Sequence, residues 1–126
     1  MFNWRRPDNL GVKDGRLARC RRSPNCVCSQ DDPADREHYI EPISFQGSIL
    51  QLKKALLEMP GATLVEEGPD YLYAEFRSQL LRFVDDVELK LEDGKVHVRS
   101  ASRLGRRDFG VNRRRIEALR ARLRPA

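Results

Sequence analysis

Six arginines surround the expected start of a helix in the stretch SASRLGRRDFGVNRRRIEALR, residues 100–120. A helix N-terminus is already positive, so basic side chains in the first turn are unfavourable unless another group attracts them. Backbone N–H groups at a helix start, serine hydroxyls and guanidinium groups suit a carboxylate or a phosphate. The stretch therefore predicts an anion-binding module, with these ligand-binding residues: Arg99, Ser100, Ser102, Arg103, Asp108, Asn112 and Arg113.

Other interpretations of these arginines stay open. In one of them, several of the arginines form ion pairs with Asp85, Asp86 and Asp108. Such a network would be purely structural and hold no ligand. The stretch argues against nucleic acid, because it lacks interleaved aromatic residues. The partners expected of a binding module here are a small anion, or an acidic protein or lipid headgroup.

A second group of candidate residues is the cysteine-rich stretch RCRRSPNCVCSQ, followed by His38. A turn at Pro24 and Asn25 would bring Cys20 and Cys26 together, either as a disulfide or with Cys26 as a small buried apolar side chain. A hydrolase-like enzyme would use Cys26 or Asp85 with His38 as its base. A metal site would use Cys20, Cys26, Cys28 and His38, but the spacing C-x5-C-x-C-x9-H is not a standard zinc pattern, so neither a metal nor a cofactor is predicted.

Composition describes a soluble, basic, single-domain protein of 126 residues, 40% hydrophobic and 34% charged. The formal net charge of +5 is divided as +5 in residues 1–30, −7 in residues 31–100 and +7 in residues 101–126. The basic ends therefore either fold against the acidic middle or face an anionic partner. No stretch approaches the length of a membrane span, and the odd number of cysteines favours a reducing compartment, so a cytoplasmic location is expected.

Hydrophobic periodicity begins only after a long polar segment. Residues 1–37 predict an irregular arm packed on a domain formed by residues 38–126. HYIEPISF predicts a short edge strand, and GSILQLKKALLEMPG predicts a helix with a capping box of Ser48 and Gln51. TLVEE and YLYAEFRS predict one hairpin, and a last helix is expected to have Asn112 as its N-cap.

The strongest local signal is a second hairpin turning at Asp93 and Gly94, a pair typical of a two-residue type I′ turn. This turn fixes the register, which pairs Glu88 with Arg99 and Asp85 with Ser102. Asp85 then lies on the apolar face, where a carboxylate requires a partner. The predicted fold class is α+β: an antiparallel sheet of about four to five strands, with two helices packed on one face and an irregular N-terminal arm.

Two blocks of sequence, CRRSPNCVCSQ with the later HYIEP, and FVDDVELKLEDGKVHVRSASRLGRRDFGVNRRRIEALR, resemble the DUF1499 family of proteins of unknown function. The resemblance covers roughly residues 16 to 124 and implies no activity; it departs from the family at Cys28, where a serine is usual. It implies that the arm motif and the arginine loop meet around Asp85. The matching positions are Ser23, Pro24, Asn25, Cys26, Ser29, Gln30, His38, Pro42, Asp85, Asp86, Arg99, Ser100, Ala101, Ser102, Arg103, Gly105, Asp108, Gly110, Asn112 and Arg113.

Overall fold

A computed structural model describes residues 5–78, 83–103 and 107–125 of the chain. The described residues form two helices and one antiparallel sheet of six strands. In chain order the elements are β1 (Cys26–Cys28), β2 (Ile43–Ser44), α1 (Ile49–Leu57), β3 (Ala62–Glu67), β4 (Tyr71–Arg77), β5 (Val84–Glu92), β6 (Lys95–Ser102) and α2 (Val111–Arg122). None of the helices in the described ranges is long and apolar enough to cross a membrane.

The sheet has one strand more than the upper limit predicted from the sequence. Its strand order is β1-β6-β5-β4-β3, and β2 pairs with β6 beside β1. The additional strand is β1, which lies in the arm predicted to be irregular and pairs with residues 99–101 of β6. With three residues, flanked by prolines and polar residues, β1 is too short to show the alternation with a period of two that indicates a strand. It forms because β6 offers a free edge with which it pairs. The boundary between arm and domain near residue 37 stays a prediction.

The β5–β6 hairpin follows the predicted register. Asp93 and Gly94 have φ angles of 50° and 77°, as a type I′ turn requires at both central positions. Glu88 lies opposite Arg99, and Asp85 lies opposite Ser102. Hairpin register is therefore fixed by the turn, as expected.

Helix α1 begins with the predicted capping box. The Ser48 hydroxyl accepts a hydrogen bond from the Gln51 backbone N–H at 3.2 Å, and the Gln51 side-chain oxygen accepts one from the Ser48 N–H at 2.8 Å. Leu52 and Leu56 are buried on one side of the helix, and Met59, just after its end, is buried as well. The helix therefore uses its apolar stripe to join the core.

One hydrophobic cluster joins both helices to the sheet. It contains Leu52 and Leu56 of α1, Ile116 and Leu119 of α2, and the strand residues Leu72, Ala74, Phe76, Val87, Leu89, Val96 and Val98. These strand residues define the apolar face of the sheet, since alternate side chains share a face. That both helices cover only this face stays a prediction.

The opposite side of the sheet carries buried charges and is here called the polar face. Its residues are Tyr71, Tyr73, Glu75, Asp86, Glu88, Lys90, His97 and Arg99, which are adjacent in the strand register. The arm covers part of it. Leu17 packs with Tyr71, Tyr73 and Cys28, and the Gly11 N–H donates a hydrogen bond to Glu88 Oε2 at 2.6 Å. The arm thus shields from water a face of the sheet whose own residues are polar.

Candidate functional site

The start of α2 is occupied by a carboxylate of the protein itself. Asp108 accepts hydrogen bonds from the Gly110 N–H at 2.8 Å, the Asn112 N–H at 3.3 Å and the Asn112 side-chain amide at 2.8 Å. The N-cap residue is Gly110, with a φ of 81°, and not Asn112 as predicted. Because Asp108 already satisfies these donors, the helix start is not open to a ligand in the way the sequence suggests.

Asn112 instead ties three segments together. It is fully buried; its amide nitrogen donates to the Asn25 carbonyl at 3.1 Å and to Ser102 Oγ at 2.9 Å, and its amide oxygen accepts from Ser100 Oγ at 2.6 Å. The arm motif and the segment before α2 therefore meet, as the family resemblance implies. A buried asparagine with these partners has no side-chain group left for capping.

Asp85 has the partner that its position requires, in Arg115. The Arg115 guanidinium donates to Asp85 Oδ2 at 2.7 Å, to Ser100 Oγ at 3.1 Å and to Asn112 Oδ1 at 2.8 Å. It also lies over the Phe76 ring, 4.8 Å from its centroid. Arg115 was not among the predicted ligand-binding residues. The sequence did carry a signal for Arg115: it lies three residues after Asn112, and residues three apart are neighbours on a helix.

Arg103 does not join this group, although the sequence analysis placed it there. It lies with the polar face, where its guanidinium donates to Asp86 through two bonds of 2.9 Å and to Glu75 at 2.6 Å. These bonds raise the pKa of Arg103. Burial opposes ionisation of Glu75, but hydrogen bonds from Arg6 and Arg103 outweigh burial and lower its pKa. The physical reason for the separation is strand alternation, which sends Asp85 and Asp86 to opposite faces.

Arg113 also lies outside the predicted cluster. Its guanidinium donates to three backbone carbonyls, those of Arg36 at 3.2 Å, Glu37 at 3.3 Å and Tyr39 at 2.9 Å. It therefore fastens the end of the arm to α2. Gly105 and Arg106 lie outside the described residues.

The enzyme and metal candidates are not brought together by the hydrogen bonds among described residues. Cys26 is bonded to Cys20 in a disulfide, so it has no free thiol. His38 contacts Asp35 through Nδ1 at 2.7 Å and the Ser23 carbonyl through Nε2 at 2.8 Å, whereas Asp85 contacts Arg115. Within the described ranges, no group of three or more potential metal ligands has a suitable arrangement.

Cys28 is the third thiol of the metal candidate. It is fully buried and free, and burial raises its pKa to about 11. A thiol in this state is protonated at neutral pH and is a poor metal ligand and nucleophile.

A cavity of about 330 Å³ lies between the arm and the polar face. The arm contributes residues from two segments, and β5, β6 and the residue after β6 contribute the rest of the lining. The lining residues are Arg5, Pro7, Asn9, Arg21, Ser23, Asn25, Cys26, Asp86, Arg99, Ala101, Ser102 and Arg103. Four are arginines and one is an acid, so the wall carries a strong positive excess.

Arg99 is the buried cation of this cavity. It is 3% exposed, and its Nε has no hydrogen-bond partner among the described residues. Its ion pair with Glu88 measures 3.8 Å between Nη1 and Oε1, which is longer than a hydrogen bond. A buried guanidinium normally has its donors satisfied, so this one is unusual.

Glu88 is fully buried beside Arg99 and is itself only partly satisfied. Its Oε2 accepts hydrogen bonds from the Tyr71 hydroxyl at 2.5 Å and from Gly11, whereas its Oε1 has no hydrogen-bond partner within residues 5–78, 83–103 and 107–125. Burial raises the pKa of Glu88, against the effect of these donors and of Arg99. Glu88 therefore compensates Arg99 less than a hydrogen-bonded carboxylate would.

The predicted ligand-binding residues thus divide into three places. Arg99, Ser102 and Arg103 line the cavity, Ser100, Asp108 and Asn112 lie in the group around Arg115, and Arg113 binds backbone carbonyls. Arg5, Asn9 and Arg21 of the cavity were missed, because nothing in an aperiodic arm indicates which strand it will cover. The Glu88–Arg99 pairing, by contrast, was readable from the hairpin register.

Comparison with other proteins gives a family and no function. No curated protein and no solved structure matches this chain. One family model, described as a protein of unknown function (DUF1499), matches residues 16–123, which is most of the 126-residue chain. The chain belongs to the DUF1499 family.

Proposed function

We propose that this protein binds a small anion, of the carboxylate or phosphate class, in the cavity between the arm and the polar face. The observation that carries the proposal is Arg99, a buried guanidinium whose Nε has no partner in the part of the chain that the structure describes and whose ion pair is too long to be a hydrogen bond. Two oxygens of one anionic group match the parallel N–H bonds of a guanidinium. Because Nε itself has almost no accessible surface, such a ligand would bind the guanidinium from the side that lines the cavity.

The other charges of the cavity favour the same class of ligand. Asp86, the acid in the wall, is held by two hydrogen bonds from Arg103, so little of its negative charge opposes an anion. Arg5 and Arg21 are exposed lining residues that add positive charge towards solvent, although that of Arg21 is offset in part by its exposed ion pair with Asp8. Their field would attract an anion, and Arg99 would bind it with its guanidinium fork.

A small molecule fits this cavity better than an acidic protein or a membrane surface. The volume lies at the lower end of the range for small-molecule sites, and the binding group is buried beneath the arm. A protein side chain or a lipid headgroup would have to displace the arm to reach Arg99. The proposal therefore retains the small anion among the predicted partners.

The test is calorimetric titration of the purified protein with inorganic phosphate and, separately, with acetate, in a buffer of zwitterions. We expect binding of at least one probe with a Kd of about 1 mM or tighter. Arg99→Lys retains the charge but loses the guanidinium fork, so it should weaken binding about tenfold or more. Arg124→Lys makes the same exchange at an exposed position outside the lining and should bind as the unchanged protein does.

A second variant distinguishes a loss of binding from a loss of folding. Glu88→Gln combined with Arg99→Met removes both buried charges at once and avoids leaving either unpaired. This double variant should remain folded by circular dichroism and lose the binding. Binding of phosphate or acetate that is equal in the original protein and in both Arg99 variants would contradict the proposal, as would the absence of binding by the original protein.

A further inference from the structure

The Cys20–Cys26 disulfide closes the loop that forms one wall of the cavity. Arg21, Ser23, Asn25 and Cys26 of this loop all line the cavity. We propose that the disulfide is a site of reversible thiol–disulfide exchange with a dithiol reductant, and that its reduction weakens anion binding. This inference rests on the proposed function and assigns it a form of regulation.

The two cysteines differ in exposure, which sets the direction of attack. Cys26 is 5% exposed, whereas Cys20 is partly exposed and lines a second cavity, of about 490 Å³, on the other side of the loop. Arg19, Arg22 and His38 line that second cavity together with four acidic residues. Charges of both signs therefore surround the approach to Cys20, and its exposure, not the charge of the lining, directs attack to this cysteine.

The exchange balances in two steps. A thiolate of the dithiol attacks Cys20 Sγ, the Cys20–Cys26 bond breaks, and its electron pair leaves on Cys26 Sγ, which then takes a proton from water. The second thiol of the reductant loses its proton and attacks the mixed disulfide, so Cys20 leaves as a thiolate and is protonated in turn. The protein gains two electrons and two protons, and the dithiol becomes a disulfide.

The cavity favours departure of Cys26. Cys26 lines it together with Arg21, Arg99 and Arg103, whose positive charges stabilise a thiolate at the moment when it leaves. Arg99 is also the group proposed to bind the anion. If reduction weakens anion binding, a bound anion must disfavour reduction to the same extent, because linkage between two equilibria is reciprocal.

Cys28 lies close in sequence but is not a participant. Its thiol is fully buried, contacts the Ala18 carbonyl at 3.5 Å, and has a raised pKa. It therefore offers a matched control: a cysteine two residues from Cys26 whose removal should leave the redox response unchanged.

Reduction should loosen the loop around Arg21. The Cys20 N–H donates to Asp31 Oδ2 at 2.8 Å, the Ser23 carbonyl faces His38 Nε2 at 2.8 Å, and the Asn25 carbonyl accepts from the Ser102 N–H at 2.9 Å, so both ends of the loop stay attached. Arg21 between them is held by an exposed ion pair with Asp8, so the reduced protein should stay folded but present Arg21 less well ordered. We expect phosphate binding to weaken about tenfold, the scale of immobilising one or two side chains on binding.

The experiment compares phosphate titrations of the oxidised protein, of the protein reduced with dithiothreitol, an uncharged dithiol, and of the protein reoxidised. Cys20→Ser with Cys26→Ser should bind as the reduced protein does, with or without dithiothreitol, and Cys28→Ala should respond as the original protein does. Mass spectrometry after thiol alkylation should show two new thiols under native conditions. Circular dichroism should show an intact fold.

The outcomes separate the two proposals. Equal affinity in the oxidised and reduced protein would overturn the redox inference and leave the proposed function standing. A disulfide that dithiothreitol reduces only in denaturant, or a fold lost on reduction, would also overturn it. Failure of the oxidised protein to bind either phosphate or acetate would overturn both.

Discussion

At the scale of single residues, the buried acids of β5 show how far strand alternation can be used. Asp85 and Asp86 are neighbours in sequence, but they lie on opposite faces and bind different arginines, Arg115 and Arg103. The hairpin register predicted that Asp85 faces the apolar side and needs a partner. It did not identify Arg115, because α2 is not a strand of the sheet. Packing, not the register, decides which side of α2 faces Asp85.

Loss of the Asp85 carboxylate should destabilise the protein through Arg115. In Asp85→Asn the guanidinium keeps its place beside the core but loses its counter-charge, and we expect the free energy of unfolding to fall by about 2–4 kcal/mol. Urea denaturation of the variant gives this value.

The pairwise energy is measured by adding Arg115→Met. The double variant should lose less stability than the two single variants summed, since each single change leaves one partner uncompensated. Additive losses would mean that the 2.7 Å ion pair contributes nothing beyond its separate residues.

At the scale of elements, the β5–β6 hairpin positions both polar groups, since it carries Asp85 and Ser100 on one face and Asp86 and Arg99 on the other. Its turn is specified locally. Gly94 has a φ of 77°, and a Cβ at this position would meet the Gln46 amide nitrogen at 2.6 Å. The hairpin could therefore be predicted from the sequence, whereas β1, which borders it, could not.

Gly94→Ala should lower the free energy of unfolding by about 1–2 kcal/mol, because an L side chain is strained in the left-handed region. Gly68→Ala is the matched control: Gly68 also lies in a hairpin turn, but no atom lies within 4 Å of an added Cβ and its φ lies outside the left-handed range. The control should change stability little. Equal losses in the two variants by urea denaturation would contradict the assignment of strain to Gly94.

At the scale of the whole molecule, the arm is fixed to the sheet by contacts that join distant parts of the chain. One of them is His38, whose Nε2 faces the Ser23 carbonyl and whose Nδ1 faces the Asp35 carboxylate. A carbonyl and an ionised carboxylate only accept hydrogen bonds, so this arrangement favours the imidazolium, in which both ring nitrogens donate. Burial alone would lower the pKa of His38, but these acceptors and the nearby Glu37 raise it.

Docking of the arm should therefore weaken as the pH rises. The folded-state pKa of His38 lies above its ordinary value of 6.5, so its contribution to stability is complete below pH 6.5 and is lost as the pH rises through the folded-state pKa. Thermal unfolding across this range should show a loss of stability that His38→Gln lacks. Burial lowers the pKa of His97, so His97 changes the stability with pH in the opposite sense. The quantity to compare is therefore the difference in thermal stability between the original protein and His38→Gln at each pH.

The sequence by itself determined the local features of this protein: the α1 capping box, the turn at Asp93 and Gly94, the register that follows from it, and the buried position of Asp85. Each depends on residues close together in the chain. Tertiary structure alone decided that Arg115 meets Asp85 and Arg103 meets Asp86, that Asp108 fills the start of α2, and that the arm covers Arg99. Those outcomes depend on how helix and arm pack on the sheet, and neither an arginine side chain nor an aperiodic segment carries a period that specifies its partner.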